Sequence, residues 1–269
     1  MKLSDDLSPT VQLSDNRGEI LELPPVEQIM ASQQVKSRYM EHLISRKQIN
    51  LVRIATGAMS AKLCPKIILE GTRLTLKTEI AFALNEHPRI VGPRKYRYHS
   101  PLVSAEWCGF TNFPWGRGLI NFEPREEELA MEVYRTWLHL FELLKYYSWI
   151  VDRFHLSTKL YQFQAHGRSC DFRWLEEQLL QLGFRHVFCY RQPESFAAAR
   201  EERIRISGKP SQYDSLDVFI REQERMKDLV ERSMLPHLAL DVSDNDVTGA
   251  VRRIADWMEA SGGLYMRES

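Results

Sequence analysis

Apolar and polar positions change period several times along this chain, and each change marks a boundary. Residues 1 to about 24 are mostly polar, with Pro9 and Pro24 and with Pro25 just beyond, and read as a loosely docked arm. From Val26 to about Asn50, Ile29, Met30, Val35, Tyr39, Met40 and Leu43 recur near one stripe, which predicts an amphipathic helix. The period then shortens. Lys66-Ile67-Ile68-Leu69-Glu70-Gly71 is a short, mostly apolar run closed by glycine, the pattern of a strand buried on both faces of a parallel sheet. A helical pattern begins at once, over Lys77–Asn85, so strand, glycine-opened loop and helix make the first half of a βαβ unit.

Further along, Arg89-Ile90-Val91 reads as a second strand, and residues 93–124, rich in proline, glycine and aromatics, as a long ordered loop. A long helix is expected from about Arg125 to Tyr147, with Met131, Tyr134, Leu138, Phe141 and Leu144 facing inward. Ser148–Val151 predicts a strand ending at Asp152-Arg153, followed by a helix through Tyr161 and Phe163. Helix Asp171–Leu182 is stopped by Gly183, strand His186–Tyr190 follows, and Pro193-Glu194 opens a helix over Ser195–Arg203. After a loop over Ile206–Ser215 come helix Leu216–Ser233, strand Leu238–Val242 and a last helix, capped by Asp244 or Asn245, to about Ala260. Five strands alternating with helices predict an α/β fold: a three-layer, doubly wound, parallel five-stranded sheet. Residues 1–62 form the arm and helical extension, and residues 63–269 the main domain.

Composition narrows the function classes. Lys plus Arg equals Asp plus Glu at 36 each, so no bulk charge points to nucleic acid. No apolar run reaches the roughly 18 residues that span a bilayer, and the first residues lack the pattern of a secretory leader. Cys64, Cys108, Cys170 and Cys189 show no CxxC spacing and read as reduced, buried thiols. The expectation is a cytoplasmic protein.

The candidate chemistry sits in Gly71-Thr72-Arg73-Leu74-Thr75-Leu76-Lys77-Thr78. A loop between a buried strand and a helix N-terminus directs backbone N–H groups and the helix dipole at a phosphate. Against the pattern GxxxxGK[ST], the first glycine, the lysine and the threonine are in register, but Leu76 replaces the second glycine. Leucine resists the positive φ that this glycine usually takes, so an ordinary strand–loop–helix junction is the competing reading.

These features together resemble the thymidylate kinase and deoxynucleoside kinase family of P-loop kinases, with a degenerate phosphate loop. Glu70-Gly71 with Lys77-Thr78 is similar to that family's "EG…GKT" loop. Asp152-Arg153-Phe154 with Ser157, Tyr161 and Gln162 is similar to its "DRY/F…S…AYQ" segment, Leu160 standing for the alanine. Pro193-Glu194 and the arginines beyond resemble its "DP-E" turn and lid, and Leu240-Asp241-Val242-Ser243 to Trp257 its C-terminal unit; the resemblance covers about residues 65–260. Two departures bear on substrate. Thr72-Arg73-Leu74 lacks the acidic residue that contacts the acceptor sugar in thymidylate kinases, and Val91-Gly92-Pro93-Arg94-Lys95 is only the nearest match to the family's "REP" turn.

The resemblance implies a Mg2+-dependent phosphotransferase using ATP, with a nucleoside, nucleotide or related small molecule as acceptor. Gly71, Thr72, Arg73, Thr75, Lys77 and Thr78 would hold the nucleotide, and Thr78 and Asp152 the metal. Lys77, Asp152, Arg153, Arg200 and Arg203 would be the catalytic set, the last two in a lid around residues 200–215 that also holds Arg205. Two bland readings stand beside these, a structural ion pair at Asp152-Arg153 and a solvated helix face at Ala197–Arg205. The aromatics Trp107, Phe110, Phe113 and Trp115 suit either packing or stacking on a base. His155 and His166 have no partner readable from sequence. The rival reading for function is a kinase-like module that binds a nucleotide or a partner without efficient transfer; its N-terminal helix would then serve docking or homodimerisation.

Overall fold

The apolar runs become strands, and their alternation decides which face each residue serves. The structure, a computed structural model, describes residues 12–14, 20–22, 65–91, 102–105, 118–145, 147–207 and 210–264. The helix expected over 26–50, the aromatics between 107 and 115, Arg94, Cys64 and Cys108 lie outside them. The chain divides into two units, Met1–Ala61 and Lys62–Ser269. In the first, β1 (Gln12–Ser14) pairs antiparallel with β2 (Ile20–Glu22).

The second unit holds β3 (Lys66–Glu70), β4 (Leu102–Ser104), β5 (Trp149–Asp152), β6 (Arg185–Tyr190) and β7 (His237–Asp241). They form one all-parallel sheet in the order β4-β5-β3-β6-β7. The helices are α1 (Lys77–Glu86), α2 (Pro88–Val91), α3 (Glu127–Leu143), α4 (His155–His166), α5 (Arg173–Gln181), α6 (Phe196–Ile204), α7 (Leu216–Glu231) and α8 (Val247–Ala260). This is the α/β, doubly wound architecture expected from the pattern.

Two apolar layers sandwich the sheet. Ile67, Leu69, Ile150, Val187 and Cys189 face α1 and α8, packing with Ile80, Leu84, Val251 and Ile254. Ile68, Trp149 and Val151 face the other way, onto Tyr134 and Phe141 of α3 and Leu175 and Leu179 of α5. Successive strand residues thus feed opposite cores, and each fully buried Ile or Leu contributes about 1.5–3 kcal/mol. Alternation also sends Phe188 to the second face, where it meets Leu156 and Leu160 of α4 and Met226 and Val230 of α7.

Three local readings are corrected. Arg89-Ile90-Val91 is not a strand: Pro88 starts a helical turn, and the His87 carbonyl accepts from Ile90 and Val91 N–H at 3.0 Å each. The second strand is instead Leu102–Ser104, inside the segment read as loop, in register with Ile150–Asp152. The last helix is capped by Asp246, whose Oδ1 accepts from Gly249 N–H at 2.8 Å, and not by Asp244 or Asn245. Among the described residues no helix is long and apolar enough to cross a membrane.

Candidate functional site

In a parallel sheet ligands bind beyond the carboxyl ends of the strands, where neighbouring connections diverge. Here that place follows β3, between β5 and β6. Gly71 leaves β3 at φ 150, and a Cβ there would stand 2.4 Å from the Cys189 carbonyl oxygen and 2.9 Å from Thr75 Oγ1. Only glycine fits this close approach to β6. The Cys189 thiol beneath it is pushed up to about 12, mainly by burial, so it is an inert protonated thiol.

The loop then curls. Leu74 (φ 67) and Leu76 (φ 53, ψ 18) are both left-handed, so Leu76 takes the conformation that the missing glycine would supply. Such a residue costs roughly 1–2 kcal/mol. Its partly buried side chain offsets the cost by packing against the β3, α1 and α8 core. Leu74 packs on Phe196, Tyr213 and Phe219. The loop holds itself as well: Thr75 Oγ1 donates to the Thr72 carbonyl at 2.9 Å, and the buried Lys77 Nζ folds back to Thr72 O at 2.5 Å and Thr75 Oγ1 at 3.2 Å. Lys77 therefore lies over the loop, beside the first turn of α1, whose leading N–H groups have no intrahelical acceptors.

Thr78 and Asp152, 74 residues apart, meet here, Thr78 Oγ1 donating to Asp152 Oδ2 at 2.7 Å. Asp152 is in register with Leu69 at the end of β5. Its Oδ1 is buried and has no hydrogen-bond partner among the described residues. A threonine hydroxyl beside an unsatisfied carboxylate oxygen is the hard-oxygen donor set that magnesium takes, so these residues fit that ion. Arg153 follows at φ 61, its N–H donating to the Leu69 carbonyl at 2.9 Å, which turns its side chain out of the strand.

Arg203 reaches Glu79 Oε1 on α1 at 2.9 Å and the Tyr213 hydroxyl at 3.2 Å. Arg200 binds the Tyr213 carbonyl at 3.0 Å and Asp214 Oδ1 at 2.7 Å, contacts internal to the 200–215 segment. Arg73 and Arg205 are exposed. The structure thus brings Gly71, Thr72, Thr75, Lys77, Thr78, Asp152 and Arg153 to one place and sets Arg203 at its edge.

Two charged residues, Arg191 and Glu222, escaped the sequence reading. Arg191, buried at the end of β6, donates Nε to the Leu74 carbonyl at 2.9 Å and Nη2 to Asn245 Oδ1 at 2.7 Å, while Gln223 clamps its backbone. Burial lowers its guanidinium from the ordinary value, and Asp241, Glu202 and Asp244 oppose that. Glu222 on α7 is raised by burial against the lowering influence of Arg153, Arg73, Lys77 and Arg225, so it is the carboxylate inside this field of cations. Buried Glu70 accepts from Phe154 N–H at 3.0 Å and from Ser157 Oγ at 2.5 Å, capping α4 from the end of β3. Gln162 binds the Ile120 and Phe122 carbonyls at 3.2 and 2.9 Å. The serine and glutamine of the "DRF" segment are thus structural ties.

No family model matches the chain, and no curated protein matches it. Among solved structures it is similar to the YorR protein of Bacillus subtilis, crystallised in complex with phosphorylated GDP: 15% identity, 75% of this chain and 99% of that one, TM-score 0.50. Shikimate kinase from Bacteroides thetaiotaomicron matches at 14% identity over 72% of this chain and 98% of that one, TM-score 0.39. A gluconokinase from Sinorhizobium meliloti 1021 matches at 14% over 74% and 98%, TM-score 0.37. At such identities the likeness is one of fold. What is shared is the fold, a five-stranded, all-parallel α/β sheet.

Proposed function

We propose that this protein is a Mg2+-dependent phosphotransferase of the nucleoside or nucleotide kinase type, moving the terminal phosphate of ATP to a nucleoside, nucleotide or related small acceptor. The observation that carries it is Lys77 folded over a curled Gly71–Thr78 loop, with Thr78 and the half-satisfied Asp152 alongside. The nucleotide in the YorR structure supports a nucleotide ligand here. The narrower kinship, to thymidylate and deoxynucleoside kinases, rests on Asp152-Arg153-Phe154 with Ser157, Tyr161 and Gln162.

Thr78 and Asp152 would hold Mg2+, which supplies charge neutralisation on the phosphates. Lys77 Nζ exchanges the Thr72 carbonyl for the β- and γ-phosphate oxygens, and the first-turn N–H groups of α1 take the rest of the negative charge. An acceptor oxygen, a nucleoside hydroxyl or a nucleotide phosphate, would attack the γ-phosphorus as the bond to the bridging oxygen breaks; ADP would leave, and the proton of a hydroxyl acceptor would pass to an oxygen of the transferred phosphate. Arg153 aligns the acceptor or the transferred group through its planar fork. Most of the rate then comes from positioning and charge placement.

Calorimetry with Mg-ATP on the wild type and Lys77→Ala tests the site, and a transfer panel of nucleosides and nucleotides tests the chemistry. The expected result is binding that the variant weakens by about ten-fold or more, a single charge-assisted contact of about 1.4 kcal/mol or above, with transfer to at least one acceptor. Binding without transfer to any acceptor would favour the rival module reading; no binding by the wild type would overturn the catalytic one.

A further inference from the structure

Outside the phosphate loop, three chemistry-bearing side chains converge in the sheet's second apolar layer. His155 is the first residue of α4, Glu176 lies on α5 and His186 on β6. The two rings are fully buried and Glu176 nearly so. His155 Nε2 meets Glu176 Oε1 at 3.0 Å, Glu176 Oε2 accepts from Met234 N–H at 2.9 Å, and the two rings stand 5.3 Å apart between centroids. One ligand atom from each lies within 4.8 Å of the other two.

The hydrogen-bond accounting of this group does not close. A neutral imidazole carries one N–H and one lone pair. His186 presents both to the interior with no partner among the described residues, and so does Nδ1 of His155. Each such group ordinarily forfeits about 1–3 kcal/mol. An apolar residue would fill the His186 position without that loss. The Phe154 and Phe172 rings flank His155, which leaves little else to satisfy these nitrogens.

We propose that His155, Glu176 and His186 form a structural site for a divalent transition ion of the zinc class. Two imidazoles and one carboxylate are a recurrent donor set for zinc. It is chemically distinct from the all-oxygen pair Thr78 and Asp152, which suits magnesium. The Met234 N–H on the second carboxylate oxygen orients Glu176 as an outer-sphere partner would. Zinc bonds of about 2.0–2.2 Å place tetrahedral ligands about 3.4 Å apart, so the three donor atoms, within 4.8 Å of one another here, would draw closer on binding. His237, in register with His186 and therefore on the same sheet face, is exposed at the β7 edge. The ion would pin the start of α4, three residues past Asp152, to α5 and β6.

The test uses the full chain, stripped with a chelator and titrated with Zn2+ alone, with Co2+ as a spectroscopic probe. The expected result is one tightly held equivalent, a Co2+ visible spectrum of nitrogen and oxygen ligation, and a higher melting temperature. His186→Leu and Glu176→Gln should each weaken uptake about ten-fold or more, while Thr78→Ala should leave it unchanged. His186→Leu should also fold and melt no lower than metal-free wild type; should it fail to fold, Glu176→Gln and the Co2+ spectrum still decide. Absence of a stoichiometric equivalent in the wild type would overturn the site. So would uptake that both variants retain, which would place the ion on surface histidines.

Discussion

Leu76→Gly puts into the loop the residue that the phosphate-binding pattern calls for, and its outcome follows from the geometry. Leu76 has φ 53 and ψ 18, and glycine there relieves roughly 1–2 kcal/mol of left-handed strain. Against that, glycine adds about 0.5–1 kcal/mol of chain entropy to folding. It also deletes a side chain packed on the β3, α1 and α8 core. A fully buried leucine is worth about 1.5–3 kcal/mol, so this partly buried one loses about 1–2. The balance runs from about 0.5 kcal/mol more stable to about 2 kcal/mol less stable than the wild type, centred on a loss of about 0.8 kcal/mol, a melting shift of roughly 2–3 °C for a domain of this size. Leu76→Ala loses the packing and keeps the strain, so it should be about 0.5–1 kcal/mol less stable than Leu76→Gly. That order reverses the helix-propensity order of the two residues.

Nucleotide affinity is the sharper readout. The strain is present with and without ligand, so it cancels, and Leu76→Gly should change the Mg-ATP dissociation constant by less than about three-fold. Urea midpoints for the three proteins and calorimetry with Mg-ATP measure both quantities. An alanine variant more stable than the glycine variant would refute the left-handed geometry. A ten-fold tightening by glycine, about 1.4 kcal/mol, would show that leucine opposes the bound form and that the loop seen here is not the one that receives phosphate.

Further outcomes follow from the same site. Gly71→Ala forces a Cβ to 2.4 Å from the Cys189 carbonyl oxygen at φ 150, and should cost about 3 kcal/mol or more by urea unfolding. Arg191→Lys keeps the charge but cannot serve both the Leu74 carbonyl and Asn245 Oδ1; a loss of about 2–3 kcal/mol and weaker Mg-ATP binding are expected, and unchanged affinity would separate Arg191 from loop geometry. Burial raises the Asp241 carboxyl, but bonds from Ser243 and Gln192 outweigh it and hold it below the usual 3.8. Its contribution is therefore present above pH 3.8 and lost as the pH falls through the lower folded value, so melting curves of wild type and Asp241→Asn should converge on acidification.

How much could be read from sequence depended on whether the signal was local. Lys66–Glu70, Trp149–Asp152 and Arg185–Tyr190 are buried runs bounded by glycine, charge or proline, and their local pattern suffices. Leu102–Ser104 has three residues, too short to show a period; only pairing with β5 makes it a strand. Pro88 misled in the opposite way, because the apolar triplet after it looks extended while proline favours the first turn of a helix. At the site, Gly71, Lys77 and Thr78 were legible because they are adjacent. Asp152 was legible only through resemblance, since its contact with Thr78 spans 74 residues. Nothing local marks Arg191 or Glu222 among 36 basic and 36 acidic residues. His155 and His186 lack any partner in the linear order, and the fold places them together.

The division of bonds around residues 200–215 bears on how a closing segment would work. Arg200 with Tyr213 and Asp214, and Arg203 with the Tyr213 hydroxyl, are bonds inside the segment, so they travel with it. The ties from it toward α1 and the loop are fewer: the Arg203–Glu79 ion pair, and the packing of Leu74 on Tyr213 in a cluster that Phe196 and Phe219, outside the segment, complete. Both partners of the ion pair are 40% exposed, and such a pair contributes about 0–1 kcal/mol. Breaking it is cheap, and under the proposed function a phosphate would offer Arg203 a better partner than Glu79 does. Leu74 is the costlier tie. Its left-handed backbone is pinned by Arg191 on one side while its partly buried side chain packs on the Phe196, Tyr213 and Phe219 cluster on the other. A movement of residues 200–215 that pulled away from Leu74 would expose that cluster, so motion that keeps Leu74 covered and swings Arg203 from Glu79 toward the loop is the path of least resistance.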